Sequence, residues 1–260
     1  MNADLRSERR GRALVLTIDR EAKRNALSGA VVEGIAEGLK MANVDREIVA
    51  IVLTGAGEKA FCAGADLDPK SAPFRMDAGA TRLAYADLLR AMIASDKPII
   101  ARVNGACMAG GMGLLGAADV AIASDAAKFG LPEVGIGVFP MMVAAILQNR
   151  LHIPARKLSE LCLTGDPIMA PEALDLGLVN ALAPYADLDA AVDAMVEKLA
   201  SRSPTALRLG KRAMTAMLGM DWDAALAHAE SQIRLVALTE DAREGLASFA
   251  EKRAPNWTGN

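Results

Sequence analysis

The stretch 104-NGACMAGGMGLLGAADV-120 holds five glycines between Gly105 and Gly116 and no charged side chain before Asp119. Within it, Gly111-Met112-Gly113-Leu114-Leu115-Gly116 spells G-x-G-x-x-G. A dinucleotide site needs that glycine turn directly after a strand, then a helix of about ten residues or more, then a strand ending in an acid. Here the apolar run 98-PIIARV-103 ends well before Gly111. Gly116 then leaves almost no room for a helix before the next apolar run, 119-DVAIAS-124, although Asp125 does follow that run. A second reading is a small-residue helix whose backbone approaches a sheet closely. A third is a ligand site. Ala109-Gly110-Gly111 stands at the expected start of a helix, where N–H groups lack partners and the dipole is positive.

The flanking sequence frames that stretch as part of an α/β fold. The runs 13-ALVLTI-18, 48-IVAIVLT-54, 98-PIIARV-103 and 119-DVAIAS-124 read as strands, and the continuous ones as strands buried on both faces. Residues 28–41 carry Val31, Val32, Ile35 and Leu39 at helical spacing, and residues 81–93 also read as a helix. Strands alternating with helices imply parallel crossovers. After Pro140 the pattern turns helical, with helices expected at 141–149, 155–163, 171–176, 188–201, 222–236 and 240–252. Another begins after the N-cap pair Ser203-Pro204, and residues 178–182 give one last short strand.

Composition narrows the function classes. The 260 residues carry 29 basic and 32 acidic side chains, a net charge of −3, and 3% aromatics. Neither charge nor aromatic content favours nucleic acid. No run of eighteen apolar residues suggests a membrane span, and the charged N-terminus does not read as a secretory signal. Cys62, Cys107 and Cys162 are scattered, which points to small buried apolar residues in a reducing cytoplasm. His152 and His228 are too few and too far apart for a histidine-rich metal site, so no metal is expected.

A second small-residue loop, 61-FCAGADL-67, follows the strand at 48–54. Open α/β sheets bind ligands beyond the carboxyl ends of their strands. Two such loops can each aim one backbone N–H at one oxygen, which makes an oxyanion hole.

With both loops in view, the sequence resembles the crotonase superfamily, the enoyl-CoA hydratase/isomerase family. The resemblance rests on 23-KRNAL-27, 60-AFCAGADL-67, Lys97-Pro98, Val103-Asn104-Gly105, Ala109-Gly110-Gly111, 128-KFGLPE-133, 163-LTGD-166, 177-GLV-179, 241-DAREG-245 and 249-FAEKR-253. It spans essentially the whole chain. It implies a right-handed spiral of ββα units through residue 195, carrying an acyl-CoA site, and a helical region over 196–260 that builds homotrimers or hexamers. It also implies that Ala65 and Gly110 hold a thioester enolate oxygen. Lys23, Arg24 and Ala26 resemble contacts to the CoA nucleotide, and Ala63, Asp66 and Leu67 belong to the same binding loop. Asp68 stands where some relatives have a lysine near the phosphates. Met141 and Met142 line the acyl pocket or fill core, while Phe249 and Lys252 reach CoA from the last helix, often in a neighbouring subunit. Coenzyme A enters as part of the substrate, and no separate cofactor is expected.

The acids set the expected reaction. Typical hydratases of the family hold a water between two glutamates. One of these is present, Glu133; the other position, three residues after Gly110, is Gly113. A single acid suits Δ3,Δ2-enoyl-CoA isomerisation, with Glu133 moving a proton from Cα to Cγ. That reaction is the leading expectation. An enoyl-CoA hydratase, or another lyase of the family with an atypical second acid, is the alternative, and a non-catalytic acyl-CoA binding protein is a third.

Overall fold

The computed structural model describes residues 3–67 and 82–260. A six-stranded sheet runs in the order β1 (Leu5–Arg10), β2 (Ala13–Ile18), β3 (Ala50–Gly55), β5 (Ile99–Val103), β7 (Val120–Ser124), β10 (Ala181–Ala183). The strands from β2 to β10 pair in parallel, and β1 closes one edge antiparallel to β2. A second sheet of short strands has the order β4 (Ala60–Cys62), β6 (Ala106–Met108), β8 (Lys128–Gly130), β9 (Ile168–Met169).

Each turn of the chain therefore visits the large sheet, then the small sheet, then a helix. β3 and β4 lead to α2 (Ala84–Ala94), β5 and β6 to α3 (Gly110–Ala117), and β7 and β8 to α4 (Met141–Asn149). These are the ββα units that the resemblance implies. Every residue of β2 and β3 is buried, as expected for strands covered on both faces. On one face, α1 (Gly29–Val44), α2 and α3 pack through Val31, Ile35, Leu88, Met92, Leu114 and Leu115. On the other, α7 (Leu188–Ala200) buries Leu188, Val192 and Val196 against Val15, Val52 and Ile100. The expected boundary at residue 195 thus falls inside a helix that packs on the sheet through Val196.

α5 (Ala155–Thr164), α6 (Ala170–Asp175), α8 (Pro204–Met217), α9 (Trp222–Ala237) and α10 (Glu240–Ala250) complete the chain. Ser203 caps α8 by accepting the Ala206 N–H at 3.0 Å, with Pro204 in the first turn. The helix expected over 81–93 is α2, although Thr81 lies outside the described residues. Two features differ from the sequence expectations. β1 was not expected, because LRSERR buries only Leu5 and has no apolar alternation. The strands of the small sheet are two or three residues long, too short to give a periodic signal.

Candidate active site

The opening glycine stretch spans β6, the turn at Ala109 and α3. α3 is buried from Gly111 to Ala117, and a Cβ on Gly111 would run into the Cys62 carbonyl. Close packing and a ligand-facing helix start therefore coexist in this stretch, and α3, with eight residues, is shorter than the helix a dinucleotide site needs.

The loops after β4 and β6 meet at Gly64. Gly64 adopts φ +95°, and a Cβ there would collide with Ala109 Cβ and crowd the Gly110 nitrogen. The Leu27 N–H donates to Gly64 O at 2.7 Å and the Asp66 N–H to Leu27 O at 2.9 Å. This parallel bridge brackets Ala65 and turns its own N–H away from Leu27. On the other side, Ala109 takes φ 50°, ψ −123°, a conformation rare for a residue with a Cβ. Its N–H donates to Gly130 O at 2.9 Å, which pins the turn to β8. Gly110 is the first residue of α3, so its N–H has no partner within the helix. Ala65 and Gly110 line one narrow apolar cavity, together with Leu27, Tyr85 and Met142.

Two asparagines and an aspartate hold these loops. Asn104 donates to Ala60 O at 3.0 Å and accepts the Gly55 N–H at 3.2 Å. Asn25 donates to Ala60 O at 2.6 Å and to Ala56 O at 2.9 Å. Asp66 is buried, with Arg20 at 2.6 Å and Lys23 at 3.5 Å. Its place in this ion cluster fits a loop-shaping role.

The other expected contacts are spread more widely. Lys23 is engaged by Asp66, whereas Arg24 opens on a separate polar cavity with Lys59 and Lys128. Ala26 is buried and its carbonyl accepts from Arg20 at 2.7 Å. The Ala63 N–H donates to Arg24 O at 3.1 Å, Leu67 is exposed, and Asp68 lies outside the described residues. Of the pair Met141 and Met142, expected at the acyl pocket or in the core, Met142 lines the cavity and Met141 is 70% exposed, because one step along α4 turns the side chain to a different face. Phe249 and Lys252 lie at the surface by the end of α10, away from the cavity lining within one protomer.

Glu133 sits in the 3-10 turn Pro132–Ile136 that follows β8. Its Oε2 is buried and makes no hydrogen bond among the described residues. Burial raises its pKa above the ordinary glutamate value, and its own backbone N–H opposes that shift. A buried, unsatisfied carboxylate oxygen is costly, and such groups concentrate where chemistry needs them.

At Gly113, the position without a carboxylate, the space is not open. A Cβ there would overlap the Tyr85 hydroxyl, which reaches across from α2 and donates to Gly110 O at 2.5 Å. The Tyr85 phenol is pushed well up, first by burial, then by Cys62 and Cys107, then by the Glu133 charge. Sequence reasoning missed Tyr85. The available signal was a lone tyrosine in the segment 84-AYADLL-89, which says nothing about its packing against α3.

A family profile described as enoyl-CoA hydratase/isomerase matches residues 8–260. The short-chain-enoyl-CoA hydratase of Clostridium acetobutylicum is 32% identical over 95% of this chain and 94% of its own length. The 2,3-dehydroadipyl-CoA hydratase of Escherichia coli is 35% identical over 99% of both chains. The crystal structure of an enoyl-CoA hydratase from Bacillus anthracis superposes with a TM-score of 0.91 at 32% identity, covering 99% of this chain and 100% of the other. Fold, profile and relatives agree across nearly the full length: the chain belongs to the enoyl-CoA hydratase/isomerase family, within the crotonase superfamily.

Proposed function

We propose that the protein catalyses the reversible addition of water across the C2=C3 bond of an enoyl-CoA thioester. The observation that carries the reading is the Oε2 of Glu133, buried and without a hydrogen bond among the described residues, three residues beyond the Gly130 carbonyl that anchors the turn leading into Gly110. The thioester oxygen gains negative charge as C2=C3 is attacked, and preorganised N–H groups stabilise that charge more than the ground state. Glu133 supplies the proton transfer at C2. Relatives named as hydratases support hydration over the isomerisation expected from the sequence.

Δ3,Δ2-Isomerisation remains the second reading, favoured by one specific observation: position 113 has no carboxylate, and a 1,3-proton shift needs only one. Lys23, Arg24, Ala26, Ala63, Leu67, Phe249 and Lys252 are proposed CoA contacts, the last two within a homotrimer or hexamer. The reaction uses the substrate's own CoA and no separate cofactor. The three free cysteines suit a reducing compartment, and a cytoplasmic location is part of the proposal.

The test assays purified protein with 2-enoyl-CoA and 3-enoyl-CoA. Hydration of the 2-enoyl thioester is expected, with Glu133→Gln lowering kcat by about 10³-fold. Isomerisation without hydration would replace the first reading with the second. Acyl-CoA binding with neither reaction would favour a binding protein.

A further inference from the structure

Hydration needs a group that holds the water, and the family's usual holder is missing at Gly113. We propose that the Tyr85 hydroxyl takes that place and positions the attacking water opposite Glu133. The inference rests on the hydration reading given above.

The geometry carries it in three steps. First, the phenol oxygen occupies the space where a side chain at position 113 would begin, and Tyr85 lines the same cavity as Ala65 and Gly110. Second, the hydroxyl has a single hydrogen, and that hydrogen is given to Gly110 O at 2.5 Å. What remains on the oxygen is acceptor capacity only, so its partner in the cavity has to be a donor. Third, the Ala109 N–H bond to Gly130 O ties the turn before Gly110 to the end of β8, and three residues further on Glu133 has an Oε2 that also lacks a donor among the described residues. A water has two hydrogens and suits two acceptors. With one donated to Tyr85 and the other to Glu133, its lone pair is free to attack C3.

The step balances with one carboxylate. The water oxygen bonds to C3 while its proton passes to Glu133. The C2=C3 electron pair moves onto the thioester oxygen, held by the Ala65 and Gly110 N–H groups. Glu133 then returns the same proton to C2, the enolate collapses to the thioester, and the carboxylate is regenerated. Tyr85 gains and loses no proton.

The alternative role for Tyr85 is to hold the Gly110 peptide, and through it the oxyanion hole, in place. α-Proton exchange of a saturated acyl-CoA in D2O, followed by NMR, separates the two roles. Exchange needs Glu133 and the hole but no water addition. In Tyr85→Phe, kcat for hydration is expected to fall about 10²-fold or more, with KM within about threefold. Exchange is expected to stay within about threefold of wild type, which also shows that the variant is folded. Unchanged hydration in Tyr85→Phe overturns the proposal. So does an equal fall in hydration and exchange, which would mean that Tyr85 acts on the hole alone. Wild-type protein that exchanges the α-proton but adds no water overturns the hydration reading and this inference with it.

Discussion

Glu133 carries a conflict between stability and function. Burial holds its carboxyl above the ordinary glutamate range, opposed by its own backbone N–H, and burial also pushes up Tyr85 on α2 and Cys162 on α5, each of which feels the Glu133 charge. As a base it must be ionised, so kcat/KM for hydration should rise with pH along an acidic limb centred above the usual glutamate value. The stability effect has the opposite sense. In the unfolded chain the carboxyl ionises first, so folding loses stability as pH rises through the unfolded value, and the full penalty holds above the folded value. Glu133→Gln removes that penalty. Its melting temperature relative to wild type should therefore be higher at pH 8 than at pH 4, by a few degrees at most. Thermal scans at the two pH values check this, and an offset that does not change with pH would contradict it. At this scale Ala65, Gly110 and Glu133 were legible because their motifs place them together. Tyr85 was not, because its contact with α3 joins two helices that no local pattern relates.

Among the elements, one carboxylate at the entry to β7 ties three others together. Asp119 Oδ2 accepts from the Ile99 N–H at the start of β5 at 2.8 Å and from Lys211 of α8 at 2.6 Å. Its Oδ1 accepts from Arg150, just past the end of α4, at 3.0 Å. Lys211 is buried; desolvation lowers its pKa and Asp119 pulls it back. Removing only the carboxylate leaves a buried ammonium without its counterion, which costs more than removing the pair. Asp119→Ala should destabilise by about 3 kcal/mol, and Lys211→Met by clearly less. Urea denaturation of both variants checks the order, and the reverse order would mean that Lys211 holds α8 through the Met92 and Lys97 carbonyls more than through Asp119. The apolar runs behind β3 and β5 and the Ser203-Pro204 cap of α8 were readable because burial on two faces and helix capping leave strong local patterns. β1 was hidden by its polar composition. The small sheet was hidden by its brevity: its strands gain their hydrogen bonds from sequence-distant neighbours, not from any pattern of their own.

Over the whole molecule, the last three helices form a layer that a single chain does not cover. α9 has no buried residue, yet it carries Trp222, Leu226, Ile233 and Leu235, and Trp222 is 75% exposed. α10 buries only Asp241 and Ser248, leaving Leu246 and Phe249 in solvent, with Phe249 87% exposed. The layer is nonetheless firmly built. Asp241 accepts from Ser203 at 2.7 Å and from the backbone N–H groups of Thr258 and Gly259 at 2.8 and 3.0 Å, which fastens α10 and the C-terminal residues to the start of α8. Burial opposes ionisation of Asp241, but these donors, Ser203 first, outweigh it and hold the carboxyl below its usual range. Large apolar side chains exposed on helices tied down in this way suit burial against another protein surface. The proposed homotrimer or hexamer would bury this face against further copies of the chain. Light scattering on the wild-type protein should give three or six times the mass of the chain. Ile233→Asp combined with Leu246→Asp places charges where the interface needs apolar cover, and should release monomers with a lower melting temperature. A wild-type monomer at micromolar concentration would overturn the assembly, and with it the proposed contribution of Phe249 and Lys252 to CoA binding in a neighbouring subunit.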